Sequence, residues 1–236
     1  MAKRKIQLVE GEYYHIYNRG NSKQLIFLDD KDRERFVKLI YLCNSSTRID
    51  FRDDIIRMKI DAFEFDRGKP IIAIGAWVLM PNHFHLYVTV PRGYQVSAAS
   101  ASTDKKEKSN ISYFVERLCK SYSKYFNAKY KRTGTLFEGK FKTVHIDNNY
   151  QAKYLFSYIH LNPVKLIQSD WKEKGITDVK KALLFLDDYT WSSYPDFVGK
   201  KRIQSKILNT SVFPDYFPTM NEFNKEIFDW ITIKEK

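Results

Sequence analysis

The sequence predicts a globular protein in which strands and helices alternate along the chain. Three observations predict it. The 236 residues are 43% hydrophobic, which is enough to bury one sizeable core. Short runs rich in aromatic and β-branched residues alternate with longer segments whose apolar residues follow helical spacing. Two of the short runs are joined by a Pro-Asn turn, which favours a hairpin.

The first half of the chain supplies a strand, a helix and a second strand. The run "YYHIYNRG" (residues 13–20) predicts a strand that ends in a turn, and "DDKDRERFVKLIYLCN" (29–44) predicts a helix with acidic residues in its first turn. Residues 45–69 are charged and are interpreted as an insertion, in which residues 58–65 are the candidate strand. The continuously apolar run "IIAIGAWVLM" (71–80) predicts a strand that is covered on both faces.

After the Pro-Asn turn, the run "HFHLYVTV" (83–90) predicts a returning strand. Its side chains alternate with a period of two, so Phe84, Leu86 and Val88 face one way while His83 and His85 face the other. The two histidines therefore share one face at the mouth of a hairpin.

The second half predicts a polar loop, two helices and one more strand. The loop covers residues 93–110 and a long helix covers 111–131. A glycine turn and a short strand follow within "TGTLFEGKFKTVHI". Asp147 or Asn148 then caps a helix that stops at Asn162 and Pro163. Residues beyond 164 mix a weak helix over 179–186 with aromatic irregular segments, which is typical of an appendage.

The charge balance points to a polyanionic partner. Forty Lys and Arg residues oppose 28 Asp and Glu, giving a formal charge of +12, and nucleic acid is the leading candidate. The alternative is a basic protein whose charge only serves solubility. Cys43 and Cys119 lack metal-site spacing and fit free thiols of a reducing compartment. We expect a cytoplasmic location, since the first residues resemble no signal peptide and no run approaches a membrane span.

The histidine pair and the helix near residue 160 form a candidate metal site. Two imidazoles on one strand face are close enough to share a divalent ion, although such pairs are also found as ordinary polar residues. Tyr158 and Asn162 are four residues apart, so both project from one helical face. If the two faces meet, an ion bound by His83, His85 and Asn162 lies beside Tyr158. Nitrogen and amide oxygen ligands with open positions favour Mg²⁺ or Mn²⁺ over a structural zinc.

A basic and aromatic stretch, residues 120–142, is typical of a surface for single-stranded or hairpin nucleic acid. The alternative is that helical spacing buries its aromatics, and we expect this for Tyr122 and Phe126. Arg19 closes the first strand and is a further candidate contact. The predicted DNA-binding residues are Lys129, Lys131, Arg132, Lys140, Lys142 and Arg19.

Three blocks of the sequence, "GAWVLMPNHFHLYV", "YKRTGTLFEGKFKTVHID" and "YLFSYIHLNPVK", occur in an order that resembles the single-tyrosine HUH transposases. The resemblance is to the REP-associated tyrosine transposases and related bacterial transposase-like proteins, and it covers residues 13–165. It implies an α+β, ferredoxin-like (RRM-like) fold, an antiparallel sheet with helices on one face. It also implies a transposase domain over 1–165 and a C-terminal irregular or helical appendage over 166–236.

The resemblance further implies roles for individual residues. His83 and His85 correspond to the metal ligands, Tyr158 to the nucleophile and Asn162 to the third ligand, where insertion-sequence relatives commonly have glutamine. The implied activity is Mg²⁺- or Mn²⁺-dependent cleavage and rejoining of single-stranded DNA at hairpin-flanked sites through a 5′-phosphotyrosine, by a monomer or homodimer. Tyr154, one turn earlier, is the alternative nucleophile.

Two other functions remain open from the sequence. One is a domesticated module that binds DNA or RNA hairpins without turnover, and the other is a metal-dependent nuclease that uses water, in which Tyr158 has no role. His15, His145 and His160 are expected to be structural, with support of the metal ligands as the alternative.

Overall fold

The structure, a computed structural model, describes residues 7–47, 49–94 and 108–232. These residues form four strands, seven α-helices and several short helical turns. The strands are β1 (Tyr13–Arg19), β2 (Ala73–Met80), β3 (His83–Thr89) and β4 (Lys142–Ile146), and the helices are α1 (Asp30–Cys43), α2 (Asn110–Lys129), α3 (Asn149–Leu161), α4 (Trp171–Lys174), α5 (Val179–Asp188), α6 (Tyr194–Phe197) and α7 (Met220–Thr232).

The four strands form one antiparallel sheet with the order β2-β3-β1-β4. Along the chain the elements run β1-α1-β2-β3-α2-β4, so α1 connects β1 to β2 and α2 connects β3 to β4. This order and connectivity define the ferredoxin-like arrangement. The predicted α+β, ferredoxin-like class with an antiparallel sheet is therefore confirmed, and helices cover both faces of the sheet instead of one.

One face of the sheet is covered by α1 and α2. Asp29 begins α1 with a capping box, in which its side chain accepts from the Asp32 backbone amide and the Asp32 side chain accepts in return. The buried side of α1 presents Phe36 and Ile40, and α2 presents Phe114 and Leu118, all to one apolar cluster. We call this the apolar face of the sheet.

The hairpin of β2 and β3 obeys the predicted alternation. Phe84, Leu86 and Val88 lie in the cluster on the apolar face, while Tyr87 packs into a second cluster on the opposite face. Every residue of β2 is buried, as predicted for a strand covered on both sides.

The opposite face, which we call the site face, is covered by α3 and by C-terminal elements. Asn148, one of the two predicted caps, accepts a hydrogen bond from the Gln151 backbone amide at the start of α3. The helix continues into a 3₁₀ turn, Asn162–Leu166, where Pro163 lacks the amide needed to continue an α-helix. Phe156 of α3 contacts Phe223 of α7 across this layer.

Residues 166–232 also protect the exposed edge of β2. The Leu79 amide donates to the Trp191 carbonyl at 2.8 Å, and the Ser193 amide donates to the Trp77 carbonyl at 2.9 Å. A paired edge strand cannot recruit another chain, so these bonds give the C-terminal region a clear structural role. The predicted weak helix over 179–186 is α5. The division of the chain after residue 165 stays a prediction.

The segment 45–69 differs from its prediction. It contains a π-helical turn, Phe51–Arg57, and residues 58–65 form turns instead of a strand. Lys59 has a φ of 53°, and Asp61 accepts a hydrogen bond from the Phe63 amide at 2.8 Å. A left-handed residue and an Asx turn end an extended strand, which explains the difference.

Residues 95–107, most of the predicted polar loop, lie outside the described residues. Over the ranges that are described, none of the helices combines the length and apolar character required to cross a membrane. Cys43 and Cys119 are both free thiols.

Candidate active site

The two histidines of the hairpin lie side by side on the site face. Their ring centroids are 5.0 Å apart and the ring planes are perpendicular. His85 is 5% exposed, and its Nε2 atom is buried with no hydrogen-bond partner among the described residues. A buried nitrogen without a partner is costly, which makes this atom a candidate ligand.

Helix α3 places Tyr158 against the histidine pair. The Tyr158 ring stands nearly perpendicular to the His85 ring, with centroids 5.4 Å apart. Asn162, one turn later, is fully buried, and neither its Oδ1 nor its Nδ2 has a hydrogen-bond partner in the described part of the chain. The fold thus brings the strand face and the helix face together, which the sequence alone had left as a condition for a shared site.

His15 also lies in this site, in the supporting position that the sequence left as the alternative to a structural role. Its Nε2 atom lies 2.8 Å from His85 Nδ1, and the two rings stack with centroids 5.0 Å apart. The register of β1 with β3 pairs His15 with Tyr87 and Tyr17 with His85, so the two histidines are diagonal neighbours on one face. The signal in the sequence was a histidine on the first predicted strand.

Two lysines add positive charge around the nucleophile candidate. The Nζ atom of Lys172 lies 4.3 Å from the Tyr158 ring centre, and that of Lys165 lies 5.8 Å from it. Both distances fit cation–π contacts. Lys165 is the last residue of the "YLFSYIHLNPVK" block, whereas Lys172 comes from α4, in the predicted appendage.

The electrostatics of the site keep its imidazoles neutral. Burial lowers the pKa of His15 to about 4, and burial together with Lys165 and Arg19 lowers the pKa of His83 to about 4. Burial, with the neighbouring histidines and lysines, lowers the pKa of His85 well below its ordinary value. Neutral imidazoles have a lone pair for a cation, so this environment suits metal ligation.

Tyr158 is protonated at neutral pH. Burial raises its pKa above the ordinary value of 10, and the neighbouring Asn162 carboxamide offsets part of that rise. The carboxamide acts as a hydrogen-bond partner of imperfect geometry, since neither of its polar atoms forms a hydrogen bond of normal geometry with any described residue. A phenol in this state needs stabilisation of negative charge before it can attack a phosphate.

The donor set fits a divalent cation that also binds a substrate. Two imidazole nitrogens and an amide oxygen are suitable ligands, and the buried polar atoms His85 Nε2, Asn162 Oδ1 and Asn162 Nδ2 have no hydrogen-bond partner among the described residues. Within the described ranges, His, Cys, Asp and Glu side chains form no group of three or more that could hold a metal. A cation here would therefore depend on Asn162 and on ligands from water or substrate.

The predicted DNA-binding residues are of three kinds: exposed, half-buried, and paired with an acidic side chain. Lys131, Lys140 and Lys142 are exposed to solvent, and Arg132 is half-buried. Arg19 is exposed but forms an ion pair with Glu138. Tyr122 and Phe126, expected to be core residues, are 0% and 3% exposed.

Lys129 is already engaged within the protein. Its Nζ contacts Asp29 at 2.8 Å and the fully buried Asp32 at 2.7 Å. These ion pairs tie the end of α2 to the start of α1. The sequence could not reveal them, because the partners are about 100 residues away.

Tyr154 and the other two histidines lie outside the centre of the site. Tyr154 is 43% exposed, and its ring stacks nearly parallel to Tyr158 with centroids 6.3 Å apart. His145 pairs with Glu12 at 2.7 Å. His160 is buried under α6, with Nε2 2.7 Å from Ser193 Oγ.

The comparisons with known proteins show a structural likeness without a sequence match. No protein-family model matches the chain, and no curated protein matches it. Among solved structures, the chain is similar to a REP-associated tyrosine transposase bound to a REP hairpin, with 16% identity and a TM-score of 0.45. The match covers 86% of this chain and 90% of that one. At this identity and TM-score the likeness assigns neither a family nor a function to this chain.

Proposed function

We propose that this protein cleaves and rejoins single-stranded DNA, with Tyr158 as the nucleophile. The observation that carries the proposal is the placement of the Tyr158 phenol. The Tyr158 ring is held against His85, its hydroxyl lies beside the Asn162 carboxamide, and two lysines lie over its ring. Few arrangements other than nucleophilic catalysis use a tyrosine surrounded by candidate cation ligands and positive charge.

The reaction exchanges one phosphate ester for another. Tyr158 Oη forms a bond to the scissile phosphorus and loses its proton, while the bond from phosphorus to the 3′ oxygen breaks and that oxygen takes up a proton. The products are a 5′-phosphotyrosine and a free 3′-hydroxyl. Because the new ester retains the energy of the phosphodiester, another 3′-hydroxyl can reverse the step and join two strands.

His83, His85 and Asn162 would hold Mg²⁺ or Mn²⁺, which when bound polarises a phosphate oxygen and stabilises the charge that develops on it. The side chains of this chain supply the remaining functions. Lys165 and Lys172 add positive charge near the phenolate that develops on Tyr158. The packing of Tyr158 against His85 restricts its ring, so the hydroxyl is held in place before the substrate binds.

The DNA strand is proposed to approach along the β4 edge of the sheet. Lys140 and Lys142 are exposed there, and Lys131 is exposed at the turn that follows α2. Arg19, at the end of the adjacent strand β1, extends this basic surface toward His83, with which it is in register. Lys129 is left out of the surface, because its charge is paired with Asp29 and with the fully buried Asp32. The pair of Arg19 with Glu138, by contrast, is exposed to solvent.

The test is a covalent-adduct assay. The full chain is incubated with Mn²⁺ or Mg²⁺ and with end-labelled single-stranded hairpins taken from the DNA that flanks its gene, and the products are separated on a denaturing gel. The variants are Tyr158→Phe and His83→Ala, and the matched control is Tyr154→Phe on the same helix. We expect a label that stays on the wild type and on the control, requires metal, and disappears in the other two variants.

Each other outcome identifies a different function. Cleavage without an adduct, retained by Tyr158→Phe, would show a nuclease that uses water and would end the tyrosine proposal. Tight hairpin binding with neither cleavage nor adduct would show a binding module. An adduct that disappears in Tyr154→Phe instead would move the nucleophile by one helical turn.

A further inference from the structure

Each of the two site histidines has its Nδ1 atom in contact with a neighbouring side chain. His83 Nδ1 lies 2.6 Å from Asn82 Oδ1, and His85 Nδ1 lies 2.8 Å from His15 Nε2. The Nε2 atom is the only other ring nitrogen of an imidazole, so these contacts decide what Nε2 can do. A nitrogen that carries a proton cannot bind a cation.

The Asn82 contact settles the proton position of His83. Asn82 Nδ2 donates to the Lys23 carbonyl at 3.1 Å, which orients the amide and leaves Oδ1 toward His83. An amide oxygen only accepts hydrogen bonds, so His83 Nδ1 must be the donor. The neutral His83 ring then has its lone pair on Nε2.

The contact between His15 and His85 allows two proton arrangements. Either His85 Nδ1–H donates to His15 Nε2, or His15 Nε2–H donates to His85 Nδ1. In the second arrangement the buried Nε2 of His85 carries a proton that no described residue accepts. Buried N–H groups without an acceptor are rarer than buried lone pairs without a donor, which favours the first arrangement.

We propose that His15 and Asn82 are positioning residues, each accepting the Nδ1–H of one site histidine so that both Nε2 atoms are available to one cation. The proposal rests on the proposed function for the identity of that cation, but the proton positions are a property of the protein alone. His15 must then carry its own proton on Nδ1.

His15 has a second contact that links the ligand to the nucleophile. Its ring meets the Tyr158 ring edge to face with centroids 6.2 Å apart, and Tyr158 in turn contacts His85. The rings of His15, His85 and Tyr158 therefore restrain one another. Loss of the His15 ring would free both the imidazole and the phenol.

The experiment reads the proton positions first. In protein labelled with ¹⁵N at histidine and free of metal, long-range ¹H–¹⁵N spectra distinguish a protonated Nδ1 from a protonated Nε2. We expect wild-type His85 and His83 to be protonated on Nδ1. In His15→Phe, which keeps a ring but has no acceptor, His85 should change to Nε2–H or to a mixture.

The second readout is the affinity for Mn²⁺ alone, measured by titration calorimetry. Removal of such a supporting hydrogen bond typically weakens metal binding by about 10- to 100-fold, and we expect this for His15→Phe. His15→Gln retains an acceptor oxygen and should restore much of the affinity. His145→Phe, a histidine on the adjacent strand that pairs with Glu12, is the matched control and should bind as wild type does.

The outcomes separate this proposal from the proposed function. Wild-type His85 protonated on Nε2, or a His15→Phe variant that binds Mn²⁺ as tightly as wild type while His83→Ala does not, would overturn it. If His15→Phe is unfolded by circular dichroism, His15→Gln and the wild-type spectra still decide. If His83 and His85 are protonated on Nδ1 but the protein forms no DNA adduct, this inference stands and the proposed tyrosine chemistry is rejected.

Discussion

The two faces of the sheet differ in how their buried polar atoms are satisfied. On the apolar face, α1 and α2 bury a cluster that includes Phe36, Phe84 and Phe114, and its members are hydrophobic side chains. The site face buries His85 and Asn162 beside its apolar residues, and three of their polar atoms lack hydrogen-bond partners within the described ranges. The apolar face contributes stability, whereas the buried polar atoms without partners on the site face lower it.

The largest expected difference between the faces is their response to acid. His15, His83, His85 and His160 all lie on the site face, and burial lowers the pKa of His160 to about 3 and those of His15 and His83 to about 4. The unfolded chain, with ordinary values near 6.5, binds more protons between pH 6.5 and 4. Stability is therefore present above pH 6.5 and is lost as the pH falls toward 4, by up to ~1.4 kcal/mol per unit of lowered pKa for each group.

Native-state hydrogen exchange without divalent metal measures this, with rates corrected for pH. We expect α3 to lose protection between pH 6.5 and 5 while α1 and α2 keep theirs. A double variant, His83→Ala with His85→Ala, should keep α3 protected to lower pH. Equal loss of protection in α1 and α3 would remove the contrast between the faces.

A matched pair of buried carboxamides sharpens the same contrast. Asn44, beside the apolar face, donates to the Ile72 carbonyl at 2.9 Å and accepts from the Ile71 and Ile72 amides at 2.9 and 3.0 Å. Asn162 has no such partners among described residues. We expect Asn44→Leu to lower the free energy of unfolding by about 3 kcal/mol or more, because it leaves three buried backbone groups without hydrogen-bond partners.

Asn162→Leu should instead raise the free energy of unfolding, by about 1–2 kcal/mol, while it abolishes the DNA adduct. Urea unfolding at pH 7, without divalent metal, compares the two variants. Destabilisation by Asn162→Leu would mean that its carboxamide has a structural partner, and Asn162 would lose its place as a candidate ligand.

The smallest expected effects separate two sets of lysines. Lys140 and Lys142 are exposed, so alanine at both positions should leave the free energy of unfolding unchanged. The double variant should reduce the slope of log binding constant against log salt concentration for single-stranded DNA, by about 0.7 for each phosphate that is no longer neutralised. Lys129→Met leaves the buried carboxylate of Asp32 without its cation, so it should lower the free energy of unfolding by about 1–3 kcal/mol and leave the slope unchanged.

Fluorescence anisotropy at several salt concentrations measures the slopes. Lys201→Ala is the control, since Lys201 is exposed and lies near the β2 edge of the sheet, opposite β4. Its neighbour Arg202 marks this position, because it donates to the Thr190 carbonyl beside β2. A slope that falls equally in the control would show diffuse attraction by net charge instead of a basic surface along β4.

The sequence by itself determined the local structure and the pairing of residues within each element. The period of two in β3 placed His83 and His85 on one face, and the four-residue spacing placed Tyr158 and Asn162 on one side of α3. Caps and proline set the ends of α1 and α3. Such features depend on neighbours within a few positions, and they are therefore visible in a linear chain.

Only the tertiary structure decided which of these faces meet and which charges are already paired. The contact of His15 with His85 spans 70 residues and arises from the register of β1 with β3. The ion pairs of Lys129 and the position of Lys172 over Tyr158 likewise depend on how separate helices dock. Composition gives a side chain its charge, but burial and partners, which come from packing over long sequence distances, decide whether that charge or lone pair is left free to act.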